Sequence, residues 1–329
     1  MSDLHQLSAQ QFLEGIVQRD TVITARAITL LESAQPAHRE LAEQILALCL
    51  PHSGKSLRIG ISGAPGVGKS SFIESWGKLL LTKNKRIAVL AVDPSSRKSK
   101  GSILGDKTRM QQLAKEPGVY IRPTPSGTTL GGVASSTRES ILLLEAAGYD
   151  IILVETVGVG QSETAVYDMT DIFILLLMAG AGDELQGIKR GIMEMADLIA
   201  INKCDGDNIV RAQAARAEFQ RALHLFQEKE SGWQTSVFAC SALTGDGLEA
   251  IWEEVEKLSA SMMKGYLQQR RKAQYTQWFD EELNEALLRK LAQKPGYPDL
   301  LAQFTQQVNE GTITPSAAAR ALANALLAQ

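Results

Sequence analysis

Residues that form disulfide frameworks or metal centres are scarce in this sequence. It has three cysteines and four histidines among 329 residues. The cysteines are odd in number and lack C-x-x-C spacing, so neither a disulfide framework nor a zinc site is indicated. The histidines are scattered along the chain. We therefore expect Cys49, Cys204 and Cys240 to serve in ordinary packing.

Long apolar runs and an excess of positive charge are also missing. The longest apolar run, residues 172–179, is too short to cross a bilayer and suits a strand buried on both faces. Lys and Arg total 34 against 37 Asp and Glu, a formal net charge of -3, so no basic field favours nucleic acid. The first residues lack the basic and apolar regions of a signal peptide. We expect a cytoplasmic protein with neither a membrane nor a nucleic-acid partner.

The order of apolar segments along the chain predicts the fold class. Three early segments, 9–19, 24–32 and 38–50, have apolar residues at helical spacing. Strand-like runs then alternate with helical stretches, which predicts an α/β fold with a mostly parallel, doubly wound sheet. The strand-like runs are 57–61, 86–92, 119–121, 151–155, 172–178, 198–202 and 236–239.

After residue 247 the pattern is helical again, with a break at Lys294–Pro298. We predict a helical amino-terminal extension at 1–54, a nucleotide-binding domain at 55–260 and a helical carboxyl-terminal arm at 261–329. Alanine and leucine repeats in the last helical segment form a small-residue face that suits docking on another helix. We interpret the arm as a dimerisation element, while a helix folded back on its own domain has nearly the same composition.

Residues 63–70 match the phosphate-binding loop G-x-x-x-x-G-K-[ST]. A strand-like run precedes them and an amphipathic helical segment follows, which is the setting that the motif requires. The glycines let successive N–H groups face the phosphates, Lys69 would reach the terminal phosphates, and Ser70 would offer its hydroxyl to Mg²⁺. The predicted nucleotide-binding residues here are Gly63, Ala64, Pro65, Gly66, Val67, Gly68, Lys69, Ser70 and Ser71.

An N-K-x-D pattern follows the apolar run 197–201 and points to guanine. A carboxylate at Asp205 can accept from guanine N1–H and from the exocyclic amine together, an arrangement that adenine does not offer. Lys203 is expected along the base and Asn202 as a link between loops. The backbone N–H of Ala242 is expected to meet the guanine carbonyl oxygen. This second set of predicted nucleotide-binding residues is Asn202, Lys203, Asp205, Ser241, Ala242 and Leu243, with capping of the next turn as an alternative role for Ser241.

Carboxylates suited to Mg²⁺ lie between these two motifs. Asp93 and Glu155 each end a strand-like run, and Asp106 belongs to a glycine-rich loop that could close over phosphates. The predicted metal ligands are therefore Ser70, Asp93, Asp106 and Glu155. The structural alternatives are helix capping by Asp93, a plain turn at Gly158 after Glu155, and a solvated surface loop around Asp106.

A second glycine-rich segment, 180–191, looks like a nucleotide-sensitive switch. Lys189 or Arg190 within it could neutralise charge on the transferred phosphoryl group, although most such lysines face water. The predicted catalytic residues are Lys69, Glu155 and Lys189. Val159 follows Gly158 where Ras-like enzymes have the glutamine that positions water, so we expect slow unassisted hydrolysis; Gln161 is the alternative residue for that role.

Taken together, these motifs closely resemble those of the MeaB/ArgK GTPases, which are G-protein chaperones of adenosylcobalamin-dependent methylmalonyl-CoA mutase. The likeness covers nearly the whole chain. The resemblance implies a SIMIBI-class P-loop NTPase fold, Mg²⁺-dependent GTP hydrolysis, homodimers joined by carboxyl-terminal helices, and control of cofactor loading and protection of the mutase. It also implies that Asp93, Asp106 and Glu155 belong to the metal shell and that Lys189 lies in a partner-responsive switch. The matching segments are 63–70, 92–96, 105–110, 155–162, 180–191 and 202–205.

Three other functions compete with this hypothesis. Members of the family have been labelled arginine/ornithine (LAO/AO) transport-system kinases, which would phosphorylate an acceptor with ATP, and no residue of the sequence supports that role. A nickel-insertion GTPase usually has histidine or cysteine clusters near its amino terminus, and this sequence has none. A scaffold that binds nucleotide without hydrolysing it has the same motifs, because catalysis depends on positioning better than roughly 1 Å.

Overall fold

The structure is a computed structural model of the chain. It describes residues 7–33, 35–92, 110–123, 130–156, 162–179, 190–223, 229, 232–262 and 265–327. Two compact units divide the chain, the first ending at Arg271 and the second comprising Lys272–Gln329.

The first unit contains a parallel sheet of seven strands in the order β3-β2-β4-β1-β5-β6-β7. Each pair of neighbours is parallel; at the centre, Ile59 of β1 lies opposite Leu153 of β4 and Ile172 of β5. Because all strands point the same way, their carboxyl ends share one edge, where ligands bind in sheets of this kind. The strands are β1 (Leu57–Gly63), β2 (Ile87–Val92), β3 (Val119–Arg122), β4 (Ile151–Thr156), β5 (Ile172–Met178), β6 (Leu198–Asn202) and β7 (Ser236–Ala239).

Continuous apolar runs form the central strands because both faces of the sheet are covered by helices. Residues of β2 and β6 are buried without alternation. The helices of the described residues are α1 (Ala9–Val17), α2 (Thr21–Leu31), α3 (Pro36–Cys49), α4 (Lys69–Thr82), α5 (Leu130–Ala146), α6 (Ser162–Tyr167), α7 (Arg190–Met195), α8 (Ile209–Leu223), α9 (Leu248–Met262), α10 (Tyr266–Ala292), α11 (Tyr297–Asn309) and α12 (Pro315–Leu327). This architecture confirms the predicted fold class, a doubly wound parallel sheet with helices before and after it.

The helical amino-terminal segment, α1 to α3, packs into the hydrophobic core on one face of the sheet. Phe12, Ile16, Ile28 and Ile45 are fully or almost fully buried and join a cluster with residues of α5. Asp20 accepts hydrogen bonds from the N–H groups of residues 22 and 23 and so starts α2 at Thr21. The sequence periodicity placed this start three residues later, because it detects apolar spacing and not the capped first turn.

The opposite face of the sheet is covered by α4 and α9. Phe72 and Trp76 of α4 are completely buried, and the Trp76 ring meets the Trp252 ring of α9 edge-on at 6.2 Å. Fully buried aromatic side chains of this size supply much of the apolar area that stabilises a core. The helix that begins at the phosphate loop is therefore firmly packed on the sheet.

Paired charges are buried at the amino ends of the strands. Arg58 Nε donates to Glu145 Oε1 at 2.8 Å, and the two side chains are 5% and 0% exposed. Arg271 donates through Nε and Nη2 to the two carboxylate oxygens of Asp171, at 2.7 and 2.6 Å. The same aspartate accepts the backbone N–H of Arg58 at 2.8 Å. These contacts compensate the four charges of this group.

Asp197 repeats this arrangement before β6. Its carboxylate accepts the backbone N–H of Phe173 at 2.9 Å and the Lys229 ammonium at 3.1 Å. Burial lowers the pKa of Lys229, and the charge of Asp197 opposes that shift. At the amino edge of the sheet, Asp171 and Asp197 thus each accept a backbone N–H from a neighbouring strand and pair with a cationic side chain.

The second unit contains the part of α10 after Arg271 together with α11 and α12. Along α10, Tyr275, Phe279, Leu283 and Leu287 recur every four residues and are exposed, Phe279 by 64%. Residues at this spacing share one helix face. The unit therefore presents an apolar stripe, which we call the α10 stripe.

Among the described residues, no helix combines the length and the apolar character that a membrane span needs.

Candidate nucleotide-binding site

Two glycines of the loop between β1 and α4 occupy positions that leave no room for a side chain. Gly63 has a φ of 152°, and a Cβ at this position would lie 2.3 Å from the carbonyl oxygen of Leu176. Gly68 is left-handed, with a φ of 93°, and a Cβ there would lie 2.8 Å from Asn202 Nδ2. Gly68 also precedes α4 without a capping side chain, which leaves the first N–H groups of the helix to an anion. The loop thus has the form of a phosphate cradle.

Lys69 is the first residue of α4 and is only 8% exposed. Its Nζ donates to the carbonyl oxygens of Gly63, at 2.6 Å, and Ala64, at 3.3 Å. Both acceptors are neutral and belong to the loop itself. A phosphate oxygen would be a stronger acceptor at the same position, because hydrogen bonds between ionised partners are roughly twice as strong as neutral ones.

A hydroxyl and a carboxylate meet beside this lysine. Ser70 Oγ donates to Glu155 Oε1 at 3.2 Å, and Glu155, near the end of β4, is 3% exposed. Hydroxyl and carboxylate oxygens are the ligand types that Mg²⁺ prefers, so this pair fits the predicted metal site. Within the described part of the chain, no group of three or more His, Cys, Asp or Glu residues could hold a metal ion. Asp93, Asp106 and Lys189 lie outside the described residues.

Asn202 links the phosphate loop to the loop after β7. Its Nδ2 donates to the Val67 carbonyl at 2.9 Å, and its Oδ1 accepts the backbone N–H of Ala242 at 3.1 Å. The side chain is completely buried. The expected role of Asn202 as a link between loops therefore matches the geometry. The Ala242 N–H is engaged with Asn202 here, so its contact with a guanine oxygen stays a prediction.

The carboxylate of Asp205 is oriented by a neighbouring hydroxyl. Ser241 Oγ donates to Asp205 Oδ2 at 2.5 Å and accepts the backbone N–H groups of Leu243 and Thr244, each at 3.1 Å. Ser241 is buried, and Asp205 is half-buried. Ser241 therefore both caps the turn, as in its alternative role, and holds the carboxylate.

Two exposed residues flank this carboxylate. Lys203 has a φ of 60°, in the left-handed region, and its side chain is exposed. Leu243 is 85% exposed. Both are available to a bound base, and the predicted position of Lys203 along that base stays a prediction.

One contact at this edge has no counterpart in the sequence motifs. Ser75, in the second turn of α4, donates from Oγ to the Ala242 carbonyl at 2.5 Å. The two residues are separated by 167 positions. No local pattern marks this serine, because its partner is chosen by the packing of α4 against the loop after β7. Ser75 is a residue of the site that sequence reasoning missed.

These contacts join the two predicted halves of the site at the carboxyl edge of the sheet. The glycine-rich loop follows β1, and the Asn-Lys-x-Asp pattern begins at the last residue of β6. A parallel sheet with these two elements at one edge defines a P-loop GTP-binding protein. A family model described as "Methylmalonyl Co-A mutase-associated GTPase MeaB" matches residues 24–296, and the chain belongs to this family of GTPases. The family resemblance predicted from the motifs is thereby confirmed.

Individual relatives cover almost the whole chain. It is 42% identical over 327 residues to GTPase ArgK of Escherichia coli (strain K12), with 99% of each protein covered. It is 44% identical over 336 residues to the mouse protein named methylmalonic aciduria type A homolog, mitochondrial, covering 99% of this chain and 81% of that protein. A solved structure described as a LAO/AO transport system kinase is 38% identical, with a TM-score of 0.77 and 97% of each chain covered.

Proposed function

We propose that this protein hydrolyses GTP to GDP and phosphate and uses that cycle as a chaperone of adenosylcobalamin-dependent methylmalonyl-CoA mutase, gating cofactor loading and protecting the enzyme. The observation that supports it most is the pair of hydrogen bonds from Asn202 to Val67 and Ala242. They connect the phosphate loop to the loop beside Asp205, so that one nucleotide can span both. We further propose that the protein works in the cytoplasm.

In this proposal the chain binds the phosphates mainly with backbone. The N–H groups of residues 63–71 surround the phosphate chain, and Lys69 exchanges its two carbonyl acceptors for phosphate oxygens. Asp205 accepts two hydrogen bonds from the guanine edge, which adenine does not provide. Hydrolysis then depends on positioned charge, because the protein has little covalent chemistry to perform in phosphoryl transfer.

Mg²⁺ would be held by Ser70 and Glu155, together with Asp93 and Asp106. When bound, the ion neutralises charge that develops on the phosphoryl oxygens. Lys189 is proposed to add positive charge from the switch loop. Since Val159 stands where Ras-like enzymes have a water-positioning glutamine, we propose a slow intrinsic rate that a partner accelerates.

The proposal that the mutase is the partner is supported by the descriptions of the family model and of one relative. The family model is described as associated with methylmalonyl-CoA mutase, and the mouse relative is named for methylmalonic aciduria. Nucleotide state would reach the mutase through the loops that carry Asp93, Asp106, Glu155 and Lys189. Recovery of a cobalamin enzyme from extract with a GTP analogue but not with GDP would support this partner.

We also propose a homodimer formed by the carboxyl-terminal arm, residues 261–329. The α10 stripe supports it, since exposed apolar patches often mark protein interfaces. Light scattering should give the mass of two chains for the wild type and of one chain for Phe279→Asp. If the variant still has the mass of two chains, the α10 stripe is not part of the dimer interface.

A second candidate, an ATP-dependent kinase, is favoured by the description of the solved relative as a transport system kinase. The two functions differ in the base that they need. Competition between GTP and ATP for the full chain separates them: the GTPase proposal expects GTP to bind at least about a hundredfold more tightly. Equal affinities, or transfer of phosphate to a protein acceptor, would favour the kinase.

A further inference from the structure

A second connection joins the phosphate-binding helix to the guanine side of the site. Ser75 lies on α4 six residues after Lys69 and is half-buried. In a helix, a serine hydroxyl commonly bonds the carbonyl of its own preceding turn. Ser75 Oγ instead donates across to the carbonyl of Ala242, at 2.5 Å. This hydrogen bond leaves the helix and fixes a loop of another element.

The acceptor belongs to a peptide group that is held at both of its polar atoms. The Ala242 carbonyl accepts from Ser75, and the N–H of Leu243 in the same peptide group donates to Ser241 Oγ at 3.1 Å. The preceding peptide group is held by Asn202 through the Ala242 N–H. The hydroxyl of Ser241 also donates to Asp205. The backbone orientation at 241–243 and the carboxylate orientation are thus linked.

The base of this loop tolerates little displacement. A Cβ at Gly247, which has a φ of 76°, would lie 2.3 Å from the Ala239 carbonyl. The N–H of Ser241 donates to the carbonyl of Asp246 at 2.9 Å. Ser75 adds the connection from this turn to α4, the helix whose first turn faces the phosphates.

We propose that Ser75 is a positioning residue for guanine specificity. It holds the 241–243 backbone at a fixed distance from α4, so that Ser241 keeps Asp205 oriented toward the base while the phosphates occupy the loop at the start of the same helix. The inference rests on the proposed function, since it deepens the guanine site. A loop that is already ordered loses less conformational entropy when the nucleotide binds.

The expected defect is confined to the base. Ser75 makes no described contact with the residues of the phosphate loop, and the neighbouring Trp76 keeps α4 packed on α9 through Trp252. Ser75→Ala should therefore fold normally. It should weaken GDP binding by about three- to tenfold, the range for one hydrogen bond. Because the phosphates remain in place, KM for GTP should rise while kcat at saturation stays the same.

The test uses the full chain and titrates wild type, Ser75→Ala and Ser75→Thr with GDP, inosine diphosphate and ADP, and measures kcat and KM for GTP. Threonine keeps the hydroxyl and should restore most of the GDP affinity. The matched control is Thr82→Ala, which removes a hydroxyl of the same helix whose acceptor, Leu79, lies in that helix. We expect Ser75→Ala to lose more affinity for GDP than for ADP, and the control to match the wild type.

Each other outcome contradicts a specific statement. If the wild type binds GDP and ADP with equal affinity, the assignment of the guanine site is wrong, and the proposed function fails with it. If the wild type prefers GDP but Ser75→Ala retains its affinity, the positioning role alone is wrong. Equal losses for GDP and ADP, a lower kcat, or no rescue by threonine would show a general effect on the helix and would likewise overturn the inference.

Discussion

The two edges of the parallel sheet use buried polar groups in different ways. At the amino edge, Arg58 and Arg271 donate to the carboxylates of Glu145 and Asp171. At the carboxyl edge, Lys69 donates to two neutral carbonyl groups of its own loop. Charges on the first edge are neutralised inside the protein, whereas the lysine on the second can exchange its acceptors for those of a ligand.

This difference separates residues that hold the fold from residues that bind. Removing one member of a buried ion pair leaves the other charge uncompensated, and this destabilises the protein. Lys69 donates to loop carbonyls that a phosphate oxygen can replace, so its removal should weaken nucleotide binding. Substitutions at the amino edge should therefore mainly lower the stability of the fold. Substitutions at the carboxyl edge should mainly weaken nucleotide binding.

The largest effect is expected at the amino edge. Asp171→Asn should lower the free energy of unfolding by about 3–5 kcal/mol, because the guanidinium of Arg271 loses its charged partner in a buried site. Urea denaturation measures the change. Asp280→Asn, which alters an exposed carboxylate, should change stability by less than about 0.5 kcal/mol. A loss at Asp171 no larger than in this control would contradict the assignment of the ion pair to stability.

The next effect belongs to Lys69. Lys69→Ala should lower the rate of GTP cleavage by about a hundred- to a thousandfold, as for loss of one group that stabilises charge in the transition state. Single-turnover hydrolysis measures this rate directly. The control is Lys78→Ala, a lysine on the same helix that donates to Gln112. Similar rates in both variants would remove Lys69 from the mechanism.

A smaller effect is expected from Asp205→Asn. The amide keeps the size of the side chain but accepts fewer hydrogen bonds from guanine, so GDP affinity should fall by about ten- to a hundredfold. Xanthosine diphosphate has a carbonyl where guanine has its amine. The affinity of the variant for this ligand should therefore fall less than its affinity for GDP, or should rise. Calorimetric titration compares these ligands, with Asp207→Asn as the control on an exposed neighbouring carboxylate. An unchanged preference for GDP would refute the base assignment.

The exposure of the three cysteines predicts which thiol reacts first with an alkylating reagent, and this test needs no substitution. Burial raises the pKa of Cys49 to about 11 and that of Cys240 to about 12, so at pH 8 both thiols carry little thiolate. Cys204 is partly exposed between Lys203 and Asp205. Iodoacetamide followed by mass spectrometry should label Cys204 first, and GDP should slow that labelling. Equal labelling of Cys240 in the folded protein would contradict its burial.

Much of the fold could be predicted from sequence because its strands are continuous apolar runs. The segments predicted at 172–178, 198–202 and 236–239 coincide with β5, β6 and β7. Helix starts were less accurate, since α3 begins with Pro36 in its first turn and not at the first apolar repeat. The nucleotide motifs are local in sequence, so their positions at strand ends followed from the strand predictions.

Contacts between distant segments could not be predicted in the same way. Asp171 and Arg271 are 100 residues apart, and Ser75 and Ala242 are 167 apart. Their pairing depends on how helices and strands pack, and spacing along the chain carries no signal of it. The buried ion pairs and the Ser75 contact therefore emerged with the three-dimensional arrangement.

The most direct test is a crystal structure of the full chain with bound GDP. The account predicts density for the diphosphate along residues 63–71, with Lys69 turned from its carbonyl acceptors to a phosphate oxygen. It also predicts the guanine ring with its N1 and exocyclic amine against the carboxylate of Asp205. A nucleotide bound elsewhere, or a base directed away from Asp205, would contradict the central claim.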